Sequence, residues 1–173
     1  PALIREDHPL LGNRDIVTIR DRVEADMICQ THANSSDDLS IVILRIVPIW
    51  RSAGGGTLAN YMKHELVPTL LGFDPMFQIA YDDEVLEAFR LAVRVPEARG
   101  AYNIRGKIFM PLSKLIGHLG KKPLPLPEFF VYDKKGRFRW SSELKFDFNY
   151  LKYPFTVDGT KAKEELGYNP AGL

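Results

Sequence analysis

The side chains that do chemistry are thinly spread in this sequence. Its four histidines, His8, His32, His64 and His118, stand far apart. Cys29 has no second cysteine beside it, and no metal site is expected. The run Ser35, Ser36, Asp37, Asp38 reads as a polar turn rather than a nucleophile with its acids. Asp82 and Asp83 read as helix caps rather than a carboxylate dyad. "AGGGTLAN", 53–60, is glycine-rich. It lacks the G-x-G-x-x-G spacing of a dinucleotide turn, so a loop before a helix is the preferred reading. "YDKKGRFRW", 132–140, interleaves Lys134, Lys135, Arg137 and Arg139 with Tyr132, Phe138 and Trp140. Such a pattern suits stacking and phosphate contact with single-stranded nucleic acid. A solvated hairpin is preferred, because the chain as a whole has no basic bias.

The composition sets the frame for these residues. The chain has 173 residues, 45% hydrophobic and 26% charged, enough for one domain, 1–173, with its own core. Its 23 basic and 22 acidic residues leave a net charge of +1. No global field argues for nucleic acid or an anionic membrane as partner. A single cysteine fits a reducing, cytoplasmic setting. The most apolar segment, "SIVILRIVPIW" at 40–50, is interrupted by Arg45 and Pro48 and is too short to span a bilayer. The first residues carry no basic-then-apolar signal. "PALIREDHPLLGN" is polar and proline-punctuated, more like a loop inside a protein than a first element.

The elements follow from periodicity and punctuation. Asn13 and Asp15 are candidate caps for a helix running to about 33, with Ile16, Ile19, Val23 and Met27 on one face. Residues 40–47 read as a strand buried on both faces, as in a parallel sheet. After a loop ending in glycines, 57–66 reads as a helix stopped before Pro68. "MFQIAY", 76–81, is a strand. Asp82 and Asp83 cap the next helix, with Val85, Phe89, Ala92 and Val93 on one face. "GAYNIRG", 100–106, is a short strand. Leu112, Leu115, Ile116 and Leu119 define a helix closed by Gly120. "KKPLPLP" is extended by its prolines. Residues 129–140 suggest a hairpin turning at Asp133–Gly136, and "VDGTKAKEELGYNP" a short helix closing on Gly167. Strands alternating with helices make the class α/β.

In this order the pieces resemble the C-terminal half of an extended short-chain dehydrogenase/reductase, the NAD-dependent epimerase/dehydratase kind. "REDHPLLGN" with its helix is similar to the approach to that family's catalytic helix, and "IVILRIVPIW" to the strand after it. "FQIAYDDEVLEAFRLAV" resembles the strand and acid-capped helix that follow. "GAYNIRG", "MPLSKLIGHLG" and "FTVDGTKAKEELGYNP" match later pieces, so nearly the whole chain is covered. The resemblance implies a partial doubly wound, Rossmann-like sheet with a small C-terminal substrate-side subdomain. Residues 13–56 would end the Rossmann sheet and 57–173 would form the subdomain.

It also implies a chemistry and its loss. The family carries Tyr-x-x-x-Lys on its catalytic helix, a spacing that sets both side chains on one face. In "IVTIRDRVEAD", 16–26, those slots hold Thr18 and Arg22. Arginine keeps the cation without lysine's compact ammonium. An aliphatic hydroxyl is a far weaker acid than a phenol, which titrates near ~10. The Rossmann half with its glycine-rich turn is also missing. The expectation is therefore a chain inactive by itself that binds no cofactor alone, either a fragment of a longer chain or a separate remnant. The intact protein would bind NAD(P) and a nucleotide-sugar-like ligand. The cleft would be lined by Val47, Pro48, Ile49, Trp50, Gln78 and Tyr81 beside Thr18 and Arg22. A second copy or a partner chain would supply the missing sheet. The alternative is a non-enzymatic interaction or RNA-binding module derived from the same family.

Overall fold

The elements run α1 (Val17–Ser35), β1 (Val42–Ile46), β2 (Ile49–Trp50), α2 (Thr57–Tyr61), β3 (Leu66–Leu70), β4 (Met76–Tyr81), α3 (Asp82–Arg94), β5 (Gly100–Ile104), β6 (Ile108–Pro111), α4 (Leu112–His118), β7 (Lys122–Leu126), α5 (Glu128–Val131), a 3-10 turn at Phe148–Leu151 and α6 (Thr160–Leu166). They come from a computed structural model that describes residues 3–12, 16–35, 39–51, 55–131 and 148–170. The candidate caps Asn13 and Asp15, the turn residues 36–38 and the stretch 132–140 lie outside the described residues.

One path of chain joins two ladders. β1 runs parallel to β5, in register from Val42 opposite Gly100 to Ile46 opposite Ile104. The Val47 amide still donates to Ile104 O at 3.1 Å. Beyond it the partner changes. The Ala80 amide donates to Pro48 O at 3.1 Å, and β2 continues parallel to β4. Pro48 has no N–H to place, so it suits the crossing point. β6 lies antiparallel along the other edge of β4. A third ladder pairs β3 with β7 in parallel. Pro68, Pro123 and Pro125 lie within it, which fits edge strands. Near the N-terminus, Ile4 forms a parallel bridge with Val157.

The core forms around these ladders. Leu58, Tyr61, Val67, Ile79, Leu115 and Ile116 pack between β4, β3, α2 and α4. Tyr102, Ile104, Ala88, Ala162 and Leu166 pack where α3 and α6 meet β5. Val47, Ala80, Val85 and Val157 fill the crossing.

Several local expectations are corrected. The helix expected over 57–66 ends at Tyr61, and Leu66–Leu70 is a strand instead. Pro68 reads as a helix stop, yet burying Val67 and Leu70 against a second proline-bearing strand outweighs the local helical pattern. The strand at 40–47 is shorter, and each residue of β1 is only half-buried, since its second edge carries no strand among the described residues. On α1, Ile16, Ile19 and Val23 are half-buried but Met27 is exposed. On α3, Ala88 faces the core, whereas Phe89 and Val93 are exposed. The cap of α3 is also different. Glu84, not Asp82 or Asp83, reaches back to accept the Tyr81 amide at 2.7 Å. α5 occupies the start of the expected hairpin. β6, unexpected, follows Gly106 directly after the loop from β5.

Candidate functional site

β2 and β4 run parallel, so both carboxyl ends open at the same place. Ligands of open α/β sheets bind there. The last residues of the two strands, Trp50 and Tyr81, lie opposite each other. Trp50 is half-buried and packs on the Leu58–Ile79 cluster. The Tyr81 hydroxyl lies 3.4 Å from His118 Nε2, at the end of α4. Lys107 Nζ stands 5.6 Å from the centre of the Tyr81 ring. Arg51 follows Trp50, and its Nε is 3.7 Å from Asp82 Oδ1.

A buried carboxylate fixes this geometry. Glu84 is 0% exposed. One of its oxygens accepts the Tyr81 amide at 2.7 Å, the other the Lys107 amide at 2.8 Å. Two backbone donors satisfy a charge that burial would otherwise penalise heavily. Gly106 makes the approach possible. A Cβ there would lie 2.1 Å from Ile79 O and 2.7 Å from Glu84 Oε2. The end of β4, the start of α3 and the loop before β6 therefore meet on one side chain.

The residues expected from sequence divide between surface and interior. Pro48, Ile49, Trp50 and Tyr81 are half-buried at the open end. Val47 is 2% exposed and belongs to the core at the crossing. Gln78 is 2% exposed, and its amide is taken up by Val157. Gln78 Oε1 accepts the Val157 amide at 2.7 Å while Nε2 donates to Val157 O at 3.2 Å. Thr18 is half-buried and Arg22 exposed, on a helix that packs against β1 and β5 rather than on the β2–β4 pair. Lys107, His118 and Glu84 escaped the sequence reading. Glu84 had a signal, an acid three residues into a helix that follows a strand. Lys107 and His118 had none, because the start of β6 beside β4 brings the first to Tyr81 and the run of α4 back from β6 brings the second.

Among the described residues no three His, Cys, Asp or Glu side chains gather as an ion would require. Nor do they form a dinucleotide cradle. Gly55 and Gly56, at φ 90° and 86°, precede α2, which has only five residues. The strands flanking that helix are not neighbours, since β2 pairs with β4 and β3 with β7. A pyrophosphate site needs a glycine-rich turn inside a βαβ unit, and this one does not fit. No described helix is long and apolar enough to cross a membrane.

Comparison with known proteins gives this geometry a context. No family model matches the chain. Uncharacterized proteins of Mycobacterium tuberculosis and Mycobacterium bovis are 34% identical to it over 136 residues, 77% of this chain and 36% of theirs. The chain thus spans about a third of the length of the curated relatives it matches. Among solved structures, a dTDP-glucose 4,6-dehydratase of Streptomyces venezuelae with NAD bound superimposes with a TM-score of 0.68 at 15% identity. The match covers 98% of this chain and 50% of that one. A dTDP-glucose 4,6-dehydratase of Bacillus anthracis in complex with NAD gives 0.67 at 14% identity, covering 98% and 51%. A UDP-glucuronic acid 4-epimerase of Bacillus cereus in complex with NAD gives 0.61 at 17% identity, covering 97% and 50%. The fold is therefore a mixed α/β, Rossmann-like one with parallel sheets. More particularly, it is the fold of about half of an NAD-dependent sugar dehydratase or epimerase.

Proposed function

We propose that this chain is the substrate-side portion of a protein resembling NAD(P)-dependent nucleotide-sugar epimerases and dehydratases, catalytically inactive as it stands. The observation that carries the reading is the superposition of 98% of the chain on half of an NAD-bound sugar dehydratase. The slots of the family's acid–base pair hold Thr18 and Arg22, which cannot exchange a proton with a sugar hydroxyl near neutral pH. NAD(P) belongs to the intact protein, where a glycine-rich βαβ unit outside this chain would hold it.

The reading also accounts for the open side of the fold. Among the described residues β1 has a strand along one edge only. Beside it a groove of about 580 Å³ is lined by Val42, Leu44, Phe89, Val93, Val95 and Ala98. Val93, on α3, is 86% exposed where it lines this groove. A second copy or a partner chain that continues the sheet would cover both edge and groove.

Calorimetry with NAD, NADP and nucleotide sugars tests the proposal. The isolated chain should bind neither dinucleotide tightly. Micromolar or tighter NAD affinity, or turnover of a nucleotide sugar, overturns it.

A further inference from the structure

We infer that the outer face of α3 is a contact surface for a second copy of this chain, the two helices lying antiparallel about a twofold axis near Phe89. The contact asks nothing of a cofactor or sugar site, so it stands apart from the nucleotide-sugar reading.

α3 is apolar on two faces. Inward, Val85 and Ala88 are buried, and Leu91 and Val95 pack on the core beneath them. Outward stand Leu86, Phe89 and Val93, 68%, 52% and 86% exposed. At 3.6 residues per turn these three share an arc of about 60°, on the side of the helix away from buried Glu84. A solvated helix face normally carries polar and charged residues. Large apolar side chains three and four positions apart form instead a seam along which a second helix packs.

The charges beside the seam say which helix. Asp83 and Glu87 lie on one flank of it towards the N-terminal end, Arg90 and Arg94 on the same flank towards the C-terminal end. The four fall within about 60° of arc. Arg90 already pairs with Glu87 inside the helix. Asp83 and Arg94 are exposed and hold no ion pair among the described residues. In an antiparallel pair about a twofold axis, each flank faces the same flank of the other helix. Asp83 of each copy then meets Arg94 of the other, and Glu87 meets Arg90. Both pairs centre on one point, between Ala88 and Phe89, so a single register satisfies both. That register also brings the two Phe89 rings together, with Leu86 and Val93 to either side. A parallel pair would set the charged flank against the opposite, apolar flank. The twofold contact uses the same patch on both copies and closes on itself. Phe89 and Val93 also line the groove beside β1, so apolar surface continues past the helix. Two helical turns make a small interface, and the affinity should be in the micromolar range.

Sedimentation equilibrium of the whole 173-residue chain tests the contact. At high micromolar concentration the mass should be twice that of one chain. Asp83→Lys and Arg94→Glu should each weaken the dimer about tenfold, because each sets like charges opposite one another. Both positions are exposed, so each variant should still melt cooperatively. An equal mixture of the two variants should regain a dimer near wild-type affinity, since every Asp83–Arg94 contact then joins opposite charges again. A monomeric wild type overturns the inference. A dimer that neither variant weakens lies on another surface, such as the open edge of β1, and overturns it too. Variants that weaken the dimer without recovery on mixing do the same, and so do masses that climb past two copies. None of these results touches the nucleotide-sugar reading, which calorimetry decides separately.

Discussion

Asp26 on α1 and Arg45 on β1 form a two-pronged ion pair. Arg45 Nε donates to Asp26 Oδ2 at 2.8 Å and Nη2 to Oδ1 at 2.9 Å. The third guanidinium nitrogen donates to Glu6 O at 2.8 Å, and Gln30 donates to Asp26 from the next turn of the helix. One arginine thus ties the N-terminal segment, the helix and the strand together. The two side chains are only 12% and 15% exposed. Such a pair is costly to break one-sidedly, because the remaining charge stays buried.

Asp26→Asn should therefore destabilise the fold by about 2–4 kcal/mol at pH 7. Burial pushes the Asp26 carboxyl up, but hydrogen bonds from Arg45 and Gln30 outweigh it and hold the group below its ordinary 3.8. A lowered pKa contributes stability that is present above the unfolded value and is lost as pH falls through the folded one. The gap between wild type and variant should be full near pH 7 and shrink below about pH 4. Urea titrations at both pH values measure it. A gap that does not change with pH would assign the effect to packing.

Gly106 and Gly159 should respond differently to the same substitution. A Cβ at Gly106 meets backbone, 2.1 Å from Ile79 O and 2.5 Å from Ala80 Cα. Gly106→Ala should cost about 2 kcal/mol or more, as overpacking against a fixed chain does. A Cβ at Gly159 meets only the Arg105 side chain, at 3.1 Å. That side chain can move, and the cost should stay below about 1 kcal/mol. Denaturant midpoints compare the two. Equal losses would mean that the β4–β6 approach is not the constraint.

The contrast shows what the sequence made legible. α1, β4, α4 and the Gly167 cap follow from periodicity and punctuation, which act within a few residues. β3 did not, because Pro68 has opposite meanings in a helix and in an edge strand, and only the distant partner 122–126 decides between them. The site divides the same way. Trp50 and Tyr81 were named from the order of motifs, and β2 and β4 set them opposite each other. Lys107 meets Tyr81 where β6 begins beside β4, and His118 where α4 runs back from the far end of β6, placements that leave no mark on local composition. Nothing in "MFQIAY" announces that Val157, 79 positions on, takes the Gln78 amide.

The open edge of β1 predicts association. Phe89 is 52% and Val93 86% exposed beside a strand that, among the described residues, is paired along one side. Unpaired backbone groups next to apolar surface favour another chain. Light scattering should give a mass above that of one chain, and Val93→Lys should lower it by placing a charge in the groove. A monomer at micromolar concentration that binds no hydrophobic dye would count against a covered edge.

The last prediction concerns the helix that gave the sequence its family likeness. Thr18→Tyr with Arg22→Lys restores the Tyr-x-x-x-Lys spacing on α1. A phenol and an ammonium on one helical face are not sufficient for hydride and proton transfer. A nicotinamide ring and a sugar hydroxyl must be held at about 3 Å, and that positioning is worth orders of magnitude in rate. The described residues of this chain form no βαβ glycine turn to hold the dinucleotide's pyrophosphate. The double variant should stay inactive towards nucleotide sugars with NAD present. Arg22 is exposed and Thr18 only half-buried, so the fold should lose no more than about 1–2 kcal/mol. Absorbance at the reduced nicotinamide band follows the reaction, and a melting curve follows the fold. Turnover by the double variant would place a working cofactor site within these 173 residues and refute the inactive reading. A folded, silent variant would leave α1 with the role that Asp26 and Arg45 already give it, a helix pinned to the sheet.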